Sequence, residues 1–279
     1  QNIDPLSDTT APRYAVESDE EEDEFNPLFP EGNHQSRNVG IDIKGISPTN
    51  AIGGNLVVAT GDAGKIWAKG ASLEEQQGAV YVNQLQVGLV FRPSWSNATT
   101  VVVSELTASL PIWAMSPYAQ AVLDYFKPAN TVLLDTYPTP VYITAAPVPY
   151  RDEAPVRYLS TGPSGTGAPS FAPPNLIQTT SAAFLSIVSV SSPSPSATAF
   201  LLPSPRIPRP RPSDLTQQDV STISEEDIAW PSATMQTVDQ AVFEVLGETL
   251  KRQWRRKDGA REGKSQLKRR EVGDGSMYI

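Results

Sequence analysis

Short apolar runs, broken by glycine, proline and serine, divide this chain into elements. Asn55-Leu-Val-Val-Ala-Thr-Gly61 is continuous and ends at glycine, the pattern of a strand buried on both faces. Val80 to Phe91 mixes alternation with an apolar finish, and Thr99-Thr-Val-Val-Val-Ser104 is β-branched enough to predict a central strand. Thr131-Val-Leu-Leu-Asp135 is a further buried strand and Val156 to Ser160 a weaker one. Folded structure is expected from near Ile41 onward.

Helical spacing appears between these runs. Residues 116–126 predict a helix, with Ser116 as N-cap and Pro117 at the first helical position. Thr180 to Val190 fits a helix followed by a strand, and Ala199 to Leu202 is short and apolar. The clearest helix is Thr237 to Trp254, where Val238, Ala241, Val242, Val245 and Leu246 share a face and Trp254 can close the stripe. Strand and helix in alternation predict an α/β fold: a mostly parallel central sheet flanked by helices, with disordered acidic N-terminal and basic C-terminal tails.

Composition refines the boundaries. Hydrophobic residues are 39% of the 279, low for a chain of this length, so part of it is expected to lie outside a core. Residues 1–37 carry the near-continuous acids Glu17, Asp19, Glu20, Glu21, Glu22, Asp23 and Glu24 and read as a disordered, solvated leader. Residues 38–255 are expected to form a single α/β domain. Pro/Ser/Gly-rich insertions interrupt it near 161–175, read as a loop, and near 203–214, read as a stiff extended connection. Residues 256–279 read as a flexible basic tail, with a coil reach of about 25 Å.

Charge and chemistry then narrow the function. A net charge of −9 argues against a nucleic-acid surface spread over the whole molecule. With no cysteine, thiol nucleophiles and zinc–thiolate sites are excluded. The one histidine, His34, lies in the polar stretch EGNHQS, away from any element that would hold an imidazole for a triad. Carboxylates such as Glu105, Asp135 and Glu153 show no clustering in the sequence. No enzyme, cofactor or metal is therefore expected. The start of the chain has no basic-then-apolar leader and no apolar run nears the roughly 20 residues of a membrane span, so a cytoplasmic location is expected.

Several motifs carry less than their outline suggests. Gly61-Asp-Ala-Gly-Lys65 has two residues between its glycines and Ile66 after the lysine, whereas a phosphate loop needs four and then Ser or Thr. It is read as a strand-to-helix turn. Gly162 to Gly167 contains proline and precedes no helix, and Asn97-Ala-Thr99 matches a glycosylation acceptor by coincidence. The arginine-spaced prolines from Pro205 to Pro212 could dock an SH3-type groove but read first as a rigid linker. The basic run Lys251 to Arg270 suits either a solvated tether or nuclear import.

The sequence closes on GDGSMYI. Met277, Tyr278 and Ile279 form a hydrophobic–Tyr–X ending behind two glycines. An ending of this kind can offer a carboxylate to a lysine, a rigid ring to a pocket and an adaptable thioether to a groove. Such endings belong to proteins that dock between α-subunits of the proteasome core particle. With NLVVATGD early, AAFLSIVSV and SPSATAFLLP late, a long final helix and this tail, the chain resembles the first subunit of the heterodimeric proteasome assembly chaperones. The resemblance spans roughly residues 50–279 by order of elements. It implies a non-catalytic subunit that pairs with a related second subunit, binds the α-ring through Met277, Tyr278 and Ile279, promotes assembly and blocks premature activator binding. The alternative is an adaptor whose C-terminus, Met277-x-Ile279, is a PDZ-domain ligand.

Overall fold

The computed structural model describes residues 39–47, 53–96, 98–144, 154–162, 167–191, 196–217, 230–249 and 252–256. The chain divides into a unit Gln1–Asn38, outside the described residues, and a unit Val39–Ile279. The acidic run, His34 and the residues from 257 onward all fall outside the description.

Eight strands form one sheet: β1 (Ile41–Lys44), β2 (Asn55–Thr60), β3 (Gly78–Val82), β4 (Leu85–Phe91), β5 (Thr99–Ser104), β6 (Asn130–Pro138), β7 (Arg157–Ser160) and β8 (Ser196–Ser204). Their spatial order is β1-β3-β4-β5-β2-β6-β8-β7. Four helices flank it: α1 (Gly61–Gly70), α2 (Ile112–Phe126), α3 (Thr180–Val190) and α4 (Ser232–Leu246). The α/β class is as the sequence predicts, but the sheet is mixed rather than mostly parallel. The pairs β5·β2, β2·β6 and β6·β8 are parallel, while β1·β3, β3·β4, β4·β5 and β7·β8 are antiparallel. The cause is connection length. Residues 92–98 are too few for the roughly 10–12 that a parallel crossover needs, so β5 returns against β4.

The stretch from Val80 to Phe91 is a hairpin, not one strand. Asn83 and Gln84 both take positive φ (47° and 70°), as the tight turn of a two-residue hairpin loop requires. Helix α2 starts a turn earlier than its N-cap signal suggests, so Pro117 lies inside it. The missing proline N–H is offset by burial of Ala114, Met115, Tyr118, Ala119 and Val122 along one face. Left-handed Lys127, whose N–H bonds to the Leu123 carbonyl at 2.7 Å, and then Pro128 end the helix. Residues 180–190 are one helix throughout, and Ala199 to Leu202 is the middle of the nine-residue β8. Pro203 and Ser204 belong to β8 rather than to the segment that follows it.

Each sheet face carries its own core. Leu56, Val58, Val102 and Leu133 face α2 and α3, meeting Tyr118, Phe126 and Phe184. Val57, Val101, Val132 and Phe200 face α1 and α4, meeting Trp67, Val238 and Val242. Helix α4 ends at Leu246, not at Trp254. Gly247 turns left-handed (φ 66°) and the Glu248 N–H reaches the Phe243 carbonyl at 3.0 Å, which closes the helix. The chain then folds back, so that Trp254 fills the second core from outside any helix. Its ring occupies the space over Gly70, where a Cβ would sit 2.2 Å from Trp254 Cε2. Trp254 Nε1 donates to the Trp67 carbonyl at 2.9 Å.

This contact gives a stability prediction. Trp254→Ala removes a large buried ring and should cost about 3–5 kcal/mol. Gly70→Ala forces the ring outward and should cost about 1–3 kcal/mol. Urea unfolding of both variants checks the pair, and an unchanged midpoint for Gly70→Ala would show that the ring is not seated there.

Candidate functional site

Two regions carry concentrated chemistry: the carboxyl ends of the parallel strands, and the point where the chain leaves the folded body. In an open α/β sheet the first is where connections part to opposite faces. Here α1 follows β2 onto one face, while α2 and α3 follow β5 and β6–β7 onto the other.

Across the last rung of this end, Ser104 pairs in register with Thr60, and Asp135 stands on β6 one residue beyond the Leu134–Ala59 pair. Alternation turns all three side chains toward α2 and α3. Ser104 Oγ donates to Tyr118 Oη at 2.9 Å, and Gly88 leaves room for that hydroxyl, since a Cβ there would approach it to 2.8 Å. Burial pushes the Tyr118 phenol well above its ordinary range. Thr60 Oγ1 is buried in the same row with no hydrogen-bond partner.

Two carboxylates complete the cluster. Asp135 Oδ2 accepts from Thr179 Oγ1 at 2.6 Å and Ser181 Oγ at 2.7 Å, and Oδ1 accepts from the Thr136 N–H at 2.7 Å. Glu105, at a left-handed position (φ 56°), accepts from the Leu110 N–H and from Thr180 Oγ1, each at 2.8 Å, and pairs with Arg211. Glu105 and Asp135 thus converge on the first turn of α3, which corrects the expectation that they do not cluster. The positive end of the α3 dipole favours both. Burial nevertheless pushes the Asp135 carboxyl up; its three hydrogen bonds oppose that shift and the nearby Glu105 charge adds to it. Glu153 lies outside the described residues.

Chemically this cluster fastens. Glu105 alone joins the loop before α2, the start of α3 and the segment after β8, which Trp113 Nε1 also holds by donating to the Ser213 carbonyl at 2.8 Å. Its signal in the sequence is faint: Glu105 and Asp135 are acids at the ends of apolar runs, and Thr179-Thr180-Ser181 is a hydroxyl run at a helix start. Among the described residues no group of three or more His, Asp or Glu side chains could hold a metal ion. An open cavity of about 370 Å³ lies on the other face, where Leu89, Phe91, Val103 and Leu106 meet Lys65 and Lys69. It contains none of the cluster's acids. Gly61 to Lys65 forms the first turn of α1 directly after β2, the strand-to-helix turn that the spacing predicts.

The exit point is equally specific. Asn55 Nδ2, at the amino end of β2, donates to the Leu246 carbonyl at 3.1 Å, so α4 finishes opposite the carboxylate cluster. Arg252 then pairs with buried Asp239 at 2.8 Å and stands over the Trp95 ring, 5.1 Å from its centroid. Trp67 Nε1 gives Asp239 a second hydrogen bond at 3.0 Å. Arg252 to Trp254 therefore clip the chain to the end of α1. Residues 257–279, with Met277, Tyr278 and Ile279, lie outside the described residues. Among the described residues no helix is long and apolar enough to cross a membrane.

No family model matches the sequence. No curated protein matches it by sequence either. Solved structures do share its fold. One is PbaB of Pyrococcus furiosus, an archaeal proteasome activator, 11% identical over 75% of this chain and 90% of its own, with a TM-score of 0.48. Another is PbaA of Pyrococcus furiosus, an archaeal homolog of proteasome-assembly chaperone, 10% identical over 76% and 87%, with a TM-score of 0.45. A third is a protein of unknown function from Thermoplasma acidophilum, 15% identical over 74% and 81%, with a TM-score of 0.45. At these values the likeness concerns architecture alone.

Two measurements test the cluster. Because the native Asp135 carboxyl holds its proton more tightly than the unfolded one, native stability falls as pH rises from about 4 toward the raised value and is level above it. Asp135→Asn cannot titrate. Its stability relative to wild type should therefore climb through that window, by no more than about 1.4 kcal/mol per pH unit. A relative decline in urea unfolding at matched pH would show an ionised Asp135. Arg211→Ala leaves Glu105 without its cation and should cost about 1–3 kcal/mol, measured the same way.

Proposed function

We propose that this chain is a non-catalytic subunit of a proteasome assembly chaperone. It pairs with a related α/β subunit and rests on the α-ring of the forming core particle. Met277, Tyr278 and the Ile279 carboxylate enter a pocket between neighbouring α-subunits and hold it there, promoting assembly and keeping activators off until the ring is complete. The setting is the cytoplasm, with nuclear entry open to the basic run at 251–270.

The observation that carries this reading is the pairing of a fixed exit with a docking sequence. Arg252 and Trp254 pin the chain at the end of α1, and the hydrophobic–Tyr–X residues follow at the end of the basic stretch 255–279. A pinned exit defines where the tail starts, so capture of the tail also positions the body over the surface that captured it. A terminal carboxylate on a pocket lysine is a charge-assisted bond, and the Tyr278 ring adds rigid apolar area. One tail is a weak ligand. A second tail from the partner subunit, together with a surface contact, multiplies the affinity through effective concentration. Two of the fold neighbours are proteasome proteins by description, but the proposal rests on the chain's own residues.

The test is binding of the intact chain, with its partner subunit, to purified core particles. Deleting Met277-Tyr278-Ile279, or adding one residue after Ile279, should weaken binding at least about tenfold. Tyr278→Ala separates the alternative, because a PDZ groove reads the last residue and the one two before it and largely ignores the side chain between them. Core-particle binding that survives all three changes would sink the tail-docking reading.

A further inference from the structure

The connection between β8 and α4 is far longer than its geometry requires. Trp230 Nε1, just before α4, donates to the carbonyl of Pro203 in β8 at 2.8 Å, so the chain returns to where it left. In between it makes an excursion over residues 204–229, well beyond the roughly 12–15 residues that ordinary connections reach. Loops of such length with adjacent ends are disproportionately functional.

The first part of the excursion is an exposed, extended strap. Ser204-Pro-Arg-Ile-Pro-Arg-Pro-Arg-Pro212 contains only one residue, Arg206, that is neither proline nor directly before a proline. Proline fixes φ near −65° and drives the preceding residue to extended values, so the segment favours polyproline II geometry without any help from packing. Pro205 through Pro210 are exposed, and Ile207 is 63% exposed. Both ends are held on the same body. Thr139 Oγ1 donates to the Ser204 carbonyl at 3.0 Å, while Arg211 pairs with buried Glu105 and Ser213 receives the Trp113 indole. A linker would join two bodies; this segment leaves and rejoins one.

With three residues per turn, the strap has three ridges: Pro205 with Pro208, Ile207 with Pro210, and Arg206 with Arg209. We infer that it is a preformed docking ligand for a second protein. That protein presents a polyproline-reading groove of the SH3 or WW kind, its aromatic rings taking the two apolar ridges and its flanking carboxylates taking Arg206 and Arg209. Because both ends are pinned, the strap is ordered before it binds, and the entropy a free peptide would lose on docking is already spent. Arg211 is excluded from the contact by its bond to Glu105. The site is independent of the C-terminal tail.

The experiment probes the purified full-length chain against an array of purified SH3 and WW domains, followed by titration of those that bind. A subset should bind in the micromolar range. Pro205→Ala combined with Pro208→Ala should weaken each by at least about tenfold, as should Arg206→Glu combined with Arg209→Glu. These positions are exposed, so the melting temperature should not move. Deleting Met277-Tyr278-Ile279 should leave the binding intact. If no domain binds, if either double substitution leaves binding unchanged, or if the tail deletion abolishes it, the inference is overturned.

Discussion

Four parallel strands, β5, β2, β6 and β8, are apolar on both faces, and that one constraint organises the rest of the body. A sheet whose strands hide every side chain cannot leave either face to water, so helices must cover both. Helices α2 and α3 take one face and α1 and α4 the other, and each layer seals a separate core. The outer strands β1 and β7 are short and partly exposed, and they pair antiparallel, which lets hairpin-scale turns and edges finish what the centre began.

That division has a polar consequence. Where the connections diverge, the backbone leaves the sheet and apolar packing stops, so hydroxyls and carboxylates hold the layers together. Glu105 and Asp135 both grip the start of α3, and Glu105 reaches across to the strap that follows β8. At the opposite end Glu248 plays a related part, accepting from Asn55 Nδ2 at 3.3 Å, from Thr99 Oγ1 at 2.5 Å and from Ser96 Oγ. Each end of the sheet thus has an acid that joins segments far apart in sequence. The strap and the C-terminal exit lie at opposite ends of the parallel strands, so two different partners could be engaged without competing for surface.

Strand positions were the most legible part of the sequence, because continuous β-branched and apolar runs have few other uses. What the runs could not convey was direction. A parallel and an antiparallel strand present the same letters, and only the short stretch 92–98 hinted that β5 must turn back. Helix limits failed where a local rule competed with packing. Ser116-Pro117 has the letters of a helix start, yet burial of the turn before it extends α2 to Ile112. Gly247 stops α4 although the apolar stripe beyond it continues to Trp254, which the core recruits by another route. The carboxylate cluster was hidden for a different reason: Glu105, Asp135 and Thr180 are far apart in the chain, and no local pattern encodes their meeting. The hydrophobic–Tyr–X residues are the reverse case, plain as letters and outside the described structure.

The seat of Trp254 over Gly70 also bears on the order in which this chain can be completed. Trp67 and Gly70 are among the earlier residues to leave a ribosome, whereas the ring that covers them arrives 187 positions after Trp67. Until then α1 has an uncapped end and the second core lacks its last side chain. Synthesis therefore runs nearly to the basic stretch before the body can close. A nascent chain halted before residue 254 would retain an open apolar notch beside Trp67, a surface for holding chaperones to recognise. Closure of that notch and delivery of the tail are then consecutive events in the life of one molecule.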